Sequence, residues 1–245
     1  MNIKILYEDE DVVVIDKPAG VVVNRAESVV GETVQDWMES KIKDQISKIK
    51  DEEEGELFRK RSGMVHRLDR DTSGVMVWAK KPAVMMVLLE QFRQRQTEKT
   101  YLALVHGRLV GEGSLKVPIA RSRRNRQRFE VALGGRMTET GYKVLETVDR
   151  SKDYEDGFTL VELYPKTGRT HQLRVVLAHF NHPIVGDGHY LGGKRGSADA
   201  RWCPRQFLHA KRLCLTMPAS GERRCFESAL PSDLQTAWQA IKAAV

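Results

Sequence analysis

A chain of 245 residues, 41% hydrophobic and 30% charged, is long enough to bury a sizeable core as one large domain or two small ones. No apolar run reaches the roughly 18 residues of a membrane span, and Met1-Asn2-Ile3-Lys4-Ile5-Leu6-Tyr7 lacks the apolar stretch and cleavage site of a secretory signal. The net charge of +7 and the pI of about 9.3 favour a polyanionic partner through phosphate contacts and counterion release, without naming one.

Residues 3–7 and 11–16 read as two short strands joined by a turn at Glu8-Asp9-Glu10. Lys17-Pro18-Ala19-Gly20 breaks the pattern, and Val21-Val22-Val23 resumes it as a strand. Thr33-Val34-Gln35-Asp36 has the form of a capping box. Met38, Ile42, Ile46 and Ile49 follow at spacings of four, four and three, which predicts one amphipathic helix with lysines on its other sides. The acidic run 51–56 is expected to be a solvated connection, since nothing in it fixes a metal geometry.

The stretch Val65-His66-Arg67-Leu68-Asp69-Arg70-Asp71-Thr72-Ser73-Gly74 gathers two arginines, two carboxylates, a histidine and two hydroxyls. It runs into Val75-Met76-Val77-Trp78-Ala79, so a polar loop feeding a strand is predicted, with Gly74 at the junction. The residues alone allow two readings: a charged surface loop with local Arg–Asp pairs, or chemistry mounted on a rigid scaffold.

Lys81-Pro82 opens a predicted helix with Val84, Leu88, Leu89 and Phe92 as its buried stripe, and Met85 and Met86 as core filler. A strand is expected over 99–105. Lys116, Arg121, Arg123, Arg124, Arg126 and Arg128 then crowd a stretch with no carboxylate before Glu130. Against a merely solvated basic face, the group as a whole suits RNA phosphates, which guanidinium forks bind bidentately. Strands are expected over 138–147 and 158–164. Within Lys166-Thr167-Gly168-Arg169-Thr170-His171-Gln172-Leu173-Arg174 a helix is expected to begin near Thr170, with Leu173, Val176, Leu177 and Phe180 as its stripe. Its unpaired N–H groups, with Lys166 and Arg169, form a candidate anion site. The tail 234–245 reads as a short helix packed down by Trp238.

Cys203, Cys214 and Cys225 cannot all pair with one another and fit no zinc spacing, so reduced thiols in a cytoplasmic protein are expected. Gly188 to Lys194 has the spacing of a phosphate-binding loop, but Arg195 stands where Ser or Thr would hold magnesium. His171, His179, His182 and His189 lack zincin spacing, and no metal is expected.

His66-Arg67-Leu68-Asp69-x-x-Thr72-Ser73-Gly74 resembles, at every fixed position, the signature of the RluA-type pseudouridine synthases. The opening Lys17-Pro18-x-Gly20, the later Gly168-Arg169-x-His171-Gln172-Leu173-Arg174, Pro183 to Asp187 and Leu208-His209-Ala210 resemble further family positions, so the likeness runs from about residue 3 to about residue 226. Asn24 departs from the family, where a histidine is common.

The resemblance implies an α+β fold: a mixed, largely antiparallel central sheet with flanking helices and an RNA-binding cleft. A single catalytic domain over 1–245 is expected, with a charged helical insertion at about 37–62 and without the RNA-binding module that many relatives carry ahead of it. It further implies isomerisation of uridine to pseudouridine in ribosomal RNA, or in transfer RNA, by a cytoplasmic monomer that needs no cofactor. Asp69 is then the catalytic carboxylate and Arg174 the cation that keeps it ionised. Tyr101 packs against the base and assists proton loss from carbon 5. Leu173 lines the pocket, and Arg67 fills the space left when the base flips out. Lys166, Arg169, Arg121, Arg123, Arg124, Arg126 and Arg128 are the expected RNA contacts. The alternative is a ribosome-assembly factor or other RNA binder that keeps the fold without the chemistry; a glycosidase, which would release free base, is a third class.

Overall fold

The run Val12-Val13-Val14-Ile15 is buried on both faces, as a β-branched stretch with no polar alternation requires of a covered strand. It forms the first four residues of β2 (Val12–Lys17), which pairs antiparallel with β1 (Lys4–Glu8) on one side and with β3 (Ser73–Ala79) on the other. The computed structural model describes residues 1–27, 29–49, 53–149, 154 and 156–243. They fall into two compact units, Met1–Glu98 with Ala210–Ala229, and Lys99–His209 with Leu230–Val245.

In the first unit, α1 (Val34–Lys41) starts at the predicted capping box: the Thr33 hydroxyl accepts the Asp36 amide, and the Asp36 carboxylate accepts the Thr33 amide at 2.8 Å. That carboxyl is held down at about 2, chiefly by its hydrogen bond from the Thr33 hydroxyl. The expected single helix is divided. Ile42 leaves the helical well (φ −107°, ψ 21°), and α2 (Lys43–Ser47) follows. The strand expected at Val21-Val22-Val23 is absent, because the carbonyls of Val22 and Val23 accept the first helical amides, Val34 and Gln35.

The acidic connection is corrected as well. Asp51 and Glu52 lie outside the described residues, but Glu53–Arg61 is a helix, α3. Glu53, Glu54 and Glu56 occupy its first turn and Arg59, Lys60 and Arg61 its last, the arrangement that complements a helix dipole. Together α1, α2 and α3 fill most of residues 37–62. α4 (Pro82–Arg93) packs on β3 and α3. Its buried positions are Val84, Met85, Leu88 and Gln91 rather than a stripe ending at Leu89 and Phe92, which are half-buried. Gln91 is polar yet buried because its side-chain amide exchanges two hydrogen bonds with the backbone of Thr216, at 2.8 and 2.9 Å.

β9 (Leu208–Thr216) and β10 (Arg223–Glu227) form an antiparallel hairpin in which Cys214 stands directly opposite Cys225. The two are joined by a disulfide, which corrects the expectation of three reduced thiols; Cys203 alone is free, and it is buried. An eleven-residue separation says nothing of pairing until the hairpin register brings the two Cα atoms to 4.0 Å.

The second unit orders its strands β4-β8-β7-β5-β6, every neighbour antiparallel: β4 (Glu98–His106), β5 (Glu112–Arg121), β6 (Phe129–Val131), β7 (Arg136–Val148) and β8 (Phe158–Pro165). α5 (Gln172–His179) and β5 bury Val175 and Val176 against Val117 and Ile119. α6 (Gly193–Asp199) is followed by the terminal α7 (Ser232–Ala243), whose Leu234, Ala237, Trp238 and Ile241 recur at helical spacing and enter the core beside Leu104, Phe158 and Phe207. Mostly antiparallel sheet with helices laid on it is the α+β class that was expected. No helix among the described residues is long and apolar enough to cross a membrane.

Candidate active site

The signature loop of the first unit is pinned by buried side chains set between exposed ones. Val65, Leu68 and Thr72 are buried, His66 and Asp69 are half-buried, and Arg67 and Arg70 are exposed. The Thr72 amide donates to the Asp69 carbonyl at 3.1 Å and closes a turn that begins at Asp69. Underneath lies Lys17, fully buried at the end of β2. Its ammonium donates to the carbonyls of Pro18, Arg70 and Thr72 at 2.7, 2.8 and 2.8 Å, so two of its three acceptors lie just after Asp69 in the chain. An ammonium has three donors, and here each has a carbonyl.

His66 is fixed from two sides. The Val77 amide donates to its Nε2 at 3.0 Å, and its ring stacks on Phe92 with centroids 4.7 Å apart. Both contacts are structural, tying the loop to β3 and α4. Arg70 pairs with the adjacent Asp71 on the surface at 3.0 Å. At the junction, Gly74 has φ +117°, and a Cβ there would lie 2.2 Å from the Ala210 carbonyl oxygen. Only glycine lets β3 begin so close to β9.

In the second unit, Tyr101 is half-buried on β4 opposite Leu163 of β8. The turn before α5 is locked by Gln172. Its Oε1 accepts the Thr167 hydroxyl at 2.8 Å and the Arg169 amide at 3.0 Å, while its Nε2 donates to Thr140 Oγ1 at 3.0 Å. The helix begins at Gln172 rather than Thr170, with His171 as N-cap in the left-handed region (φ 55°) and its Nδ1 2.9 Å from the Tyr190 hydroxyl. Leu173 and Arg174 are buried in the first turn of α5; Phe180, placed in the predicted stripe, is the exposed C-cap.

Arg174 is held by a residue outside the predicted set. Its Nε and Nη2 donate to Asp187 Oδ2 and Oδ1, both at 2.7 Å, and its guanidinium lies 5.2 Å from the centroid of the Tyr190 ring. Asp187 Oδ1 also accepts the amides of His189 and Tyr190. Burial pushes the Asp187 carboxyl up, but the hydrogen bonds and charge of Arg174, aided by those amides, outweigh it and leave the carboxyl below its ordinary value.

Of the predicted RNA contacts, Lys166 is exposed and paired with Glu139 at 2.7 Å, which Lys116 also approaches at 3.4 Å. Those ammonium groups hold the Glu139 carboxyl below its ordinary value, the hydrogen bond from Lys166 contributing most. Arg169 is exposed beside the locked turn. Arg121 ends β5 with its guanidinium 5.8 Å from the Phe129 ring centroid. Arg123, Arg124, Arg126 and Arg128 lie exposed in the loop to β6, which Ser122 shapes by accepting the amides of Arg124 and Asn125. No group of histidines, cysteines or carboxylates among the described residues could hold a metal ion.

Asp69 thus sits in the first unit, and Tyr101, Leu173 and Arg174 in the second. Lys17 and Asp187 were missed as supporting residues, although both fall within stretches that resembled family motifs.

Residues 11–179 match the family described as RNA pseudouridylate synthase. The chain is similar to the ribosomal large subunit pseudouridine synthase D of Nitrosomonas europaea, 38% identical over 243 residues that make up 98% of this chain and 65% of that protein. It is 36% identical over 255 residues to the ribosomal large subunit pseudouridine synthase D of Xanthomonas campestris pv. campestris, covering 98% of this chain and 70% of the relative. The chain therefore spans about two thirds of the length of these relatives, 65% and 70%. Among solved structures it is similar to human RNA pseudouridylate synthase domain containing 4, with a TM-score of 0.71 and 26% identity over 98% of this chain and 93% of that one.

Proposed function

Because the chain belongs to the RNA pseudouridylate synthase family, we propose that it isomerises uridines of ribosomal RNA to pseudouridine. The observation that carries the reading is the family match over residues 11–179, which includes the whole signature loop around Asp69. Ribosomal RNA is chosen because the similar bacterial proteins are named for the large ribosomal subunit.

In this reaction the bond from the sugar C1′ to base N1 breaks and one from C1′ to C5 forms. C5 loses a proton and N1 gains one, so atoms and electrons balance without a cofactor or a group donor. Asp69 supplies the carboxylate that acts as nucleophile or as counter-charge while the base is detached. A carboxylate in a desolvated pocket needs a cation to stay ionised, and Arg174 is assigned that part. Tyr101 packs on the base and assists proton loss from C5, with Leu173 beside it. The target base must leave its stack, and Arg67 takes the vacated space. An equal slowing of Arg67→Ala on structured RNA and on single-stranded RNA would remove that role. Lys166, Arg169, Arg121, Arg123, Arg124, Arg126 and Arg128 meet phosphates. The reading carries a monomeric enzyme working in the cytoplasm.

The test is product analysis. Ribosomal RNA transcripts, with transfer RNA in parallel, are incubated with the chain, digested to nucleosides and separated by chromatography. Pseudouridine from the ribosomal transcript is expected. Its appearance only from transfer RNA would reassign the substrate, free uracil would indicate a hydrolase, and unchanged uridine with tight binding would indicate a binder without chemistry.

A further inference from the structure

Beneath Arg174 the second unit contains a run of buried polar groups to which the proposed reaction assigns no part. Asp187, which grips Arg174 through both carboxylate oxygens, follows Gly186, and the Gly186 amide donates to Asp199 Oδ2 at 2.8 Å. Asp199, fully buried at the end of α6, is engaged from two further directions. His106 Nε2, at the end of β4, lies 2.9 Å from the same oxygen, and the Tyr154 hydroxyl donates to Oδ1 at 3.0 Å. Trp202 Nε1 in turn donates to the Tyr154 oxygen at 2.9 Å.

The backbone carrying these groups has little freedom. The amides of His106 and Val185 bind the carbonyls of Pro183 and Leu104, and the Phe207 amide binds that of Val185. Gly186 has φ +70°, and a Cβ there would come within 2.3 Å of the Arg205 carbonyl oxygen. A buried aspartate is costly unless its oxygens are engaged, and every carboxylate oxygen of these two has at least one polar partner. So many bonds on one short segment fix where the Asp187 carboxylate stands, and the bidentate fork then fixes the plane of the Arg174 guanidinium.

We propose that Asp187 is the positioning residue of Arg174 and that Asp199, clamped by His106 and Tyr154, is the buried anchor that fixes Asp187. The proposal rests on the assignment of Arg174 to uridine isomerisation. Asp187 touches neither substrate nor reacting atoms in this account; it acts through the arginine.

The experiment follows tritium release from RNA labelled at uridine C5, under single-turnover and steady-state conditions, for wild type, Asp187→Asn, Arg174→Lys and the double variant. Misplacing a group that must be aligned costs on the order of 100-fold in rate. Asp187→Asn is therefore expected to lower kcat by about 100-fold with KM for RNA unchanged. The double variant should be no slower than Arg174→Lys alone, because both changes break one coupling. Asp199→Asn should show the same kcat-only signature more weakly. Losses that multiply in the double variant, or wild-type kcat in Asp187→Asn, would overturn the proposal.

Where Asp187→Asn does not fold, Asp187→Glu keeps the charge and shifts it by one methylene; full activity there would equally overturn it. An arm independent of activity is NMR of the wild type, where the Arg174 Nε–H should exchange slowly with solvent, and fast exchange contradicts the clamp. A wild-type chain that released no tritium, with the Arg174 proton still protected, would sink the reading of the reaction and leave the pair intact.

Discussion

The Lys17 ammonium donates to the carbonyl of Thr72 at 2.8 Å across 55 residues of chain, tying the end of β2 to the loop that carries Asp69. With Pro18 and Arg70 as its other acceptors, a fully buried cation serves as the floor of that loop. Lys17→Met would leave three carbonyls without this partner, and an unsatisfied buried acceptor costs about 1–3 kcal/mol. At roughly 2–4 °C per kcal/mol for a chain of this size, the melting temperature should fall by several degrees. A calorimetric scan that superimposes on wild type would show that the buried ammonium contributes nothing to stability.

Asp187 gives the second unit a defined acid sensitivity. Its carboxyl lies below the ordinary value of 3.8, so the native state holds its proton less tightly than the unfolded chain does. The resulting stability is fully present above the unfolded pKa and is lost as pH falls through the native one. Urea midpoints of wild type and Asp187→Asn should therefore differ at neutral pH and converge as the solution is acidified below about pH 4. A gap that stays constant down to acid would mean that the carboxylate is not held ionised by Arg174.

The thiols should respond in three stages. Cys214 and Cys225 are joined, and burial pushes the Cys203 thiol up to about 12. Because the thiolate is the reactive form, the native chain should consume no aromatic disulfide reagent. Mild reduction should expose Cys214 and Cys225, with Cys203 reacting only on denaturation. Rapid titration of a thiol before reduction would contradict either the disulfide or the burial.

Arg123, Arg124 and Arg126 stand exposed on one loop. If they meet phosphates, replacing all three by glutamine weakens RNA binding and flattens its salt dependence. For single-stranded RNA the slope of log K against log salt should shrink by roughly 0.7 for each phosphate no longer neutralised, about 2 in all. An unchanged slope would remove these side chains from the interface.

Much of the frame was legible in the sequence because local physics decides it. The apolar runs of β2 and β3, the capping box at Thr33 and the helical spacing of Leu234, Trp238 and Ile241 all behave as their patterns predict. Val21-Val22-Val23 looks like a strand, but its carbonyls are taken by the amides that open α1, a tertiary demand that propensity cannot register. The acidic run reads as solvated connection when only its first half is weighed; with Arg59, Lys60 and Arg61 closing it, the charges fit a helix dipole.

The supporting groups of the candidate site were hidden for a different reason. Lys17 finds Arg70 53 residues away, Arg174 finds Asp187 13 away, and His106 finds Asp199 93 away. No periodicity joins such pairs. The Cys214–Cys225 bond is similar, because it follows from hairpin register rather than from spacing.

Base exchange on uridine is assigned to the Asp69 carboxylate, and Asp69→Asn tests that assignment with little change of shape. RNA affinity and tritium release from C5-labelled uridine are measured on the same preparation. Binding close to wild type with release abolished is expected. Release at the wild-type rate would contradict it.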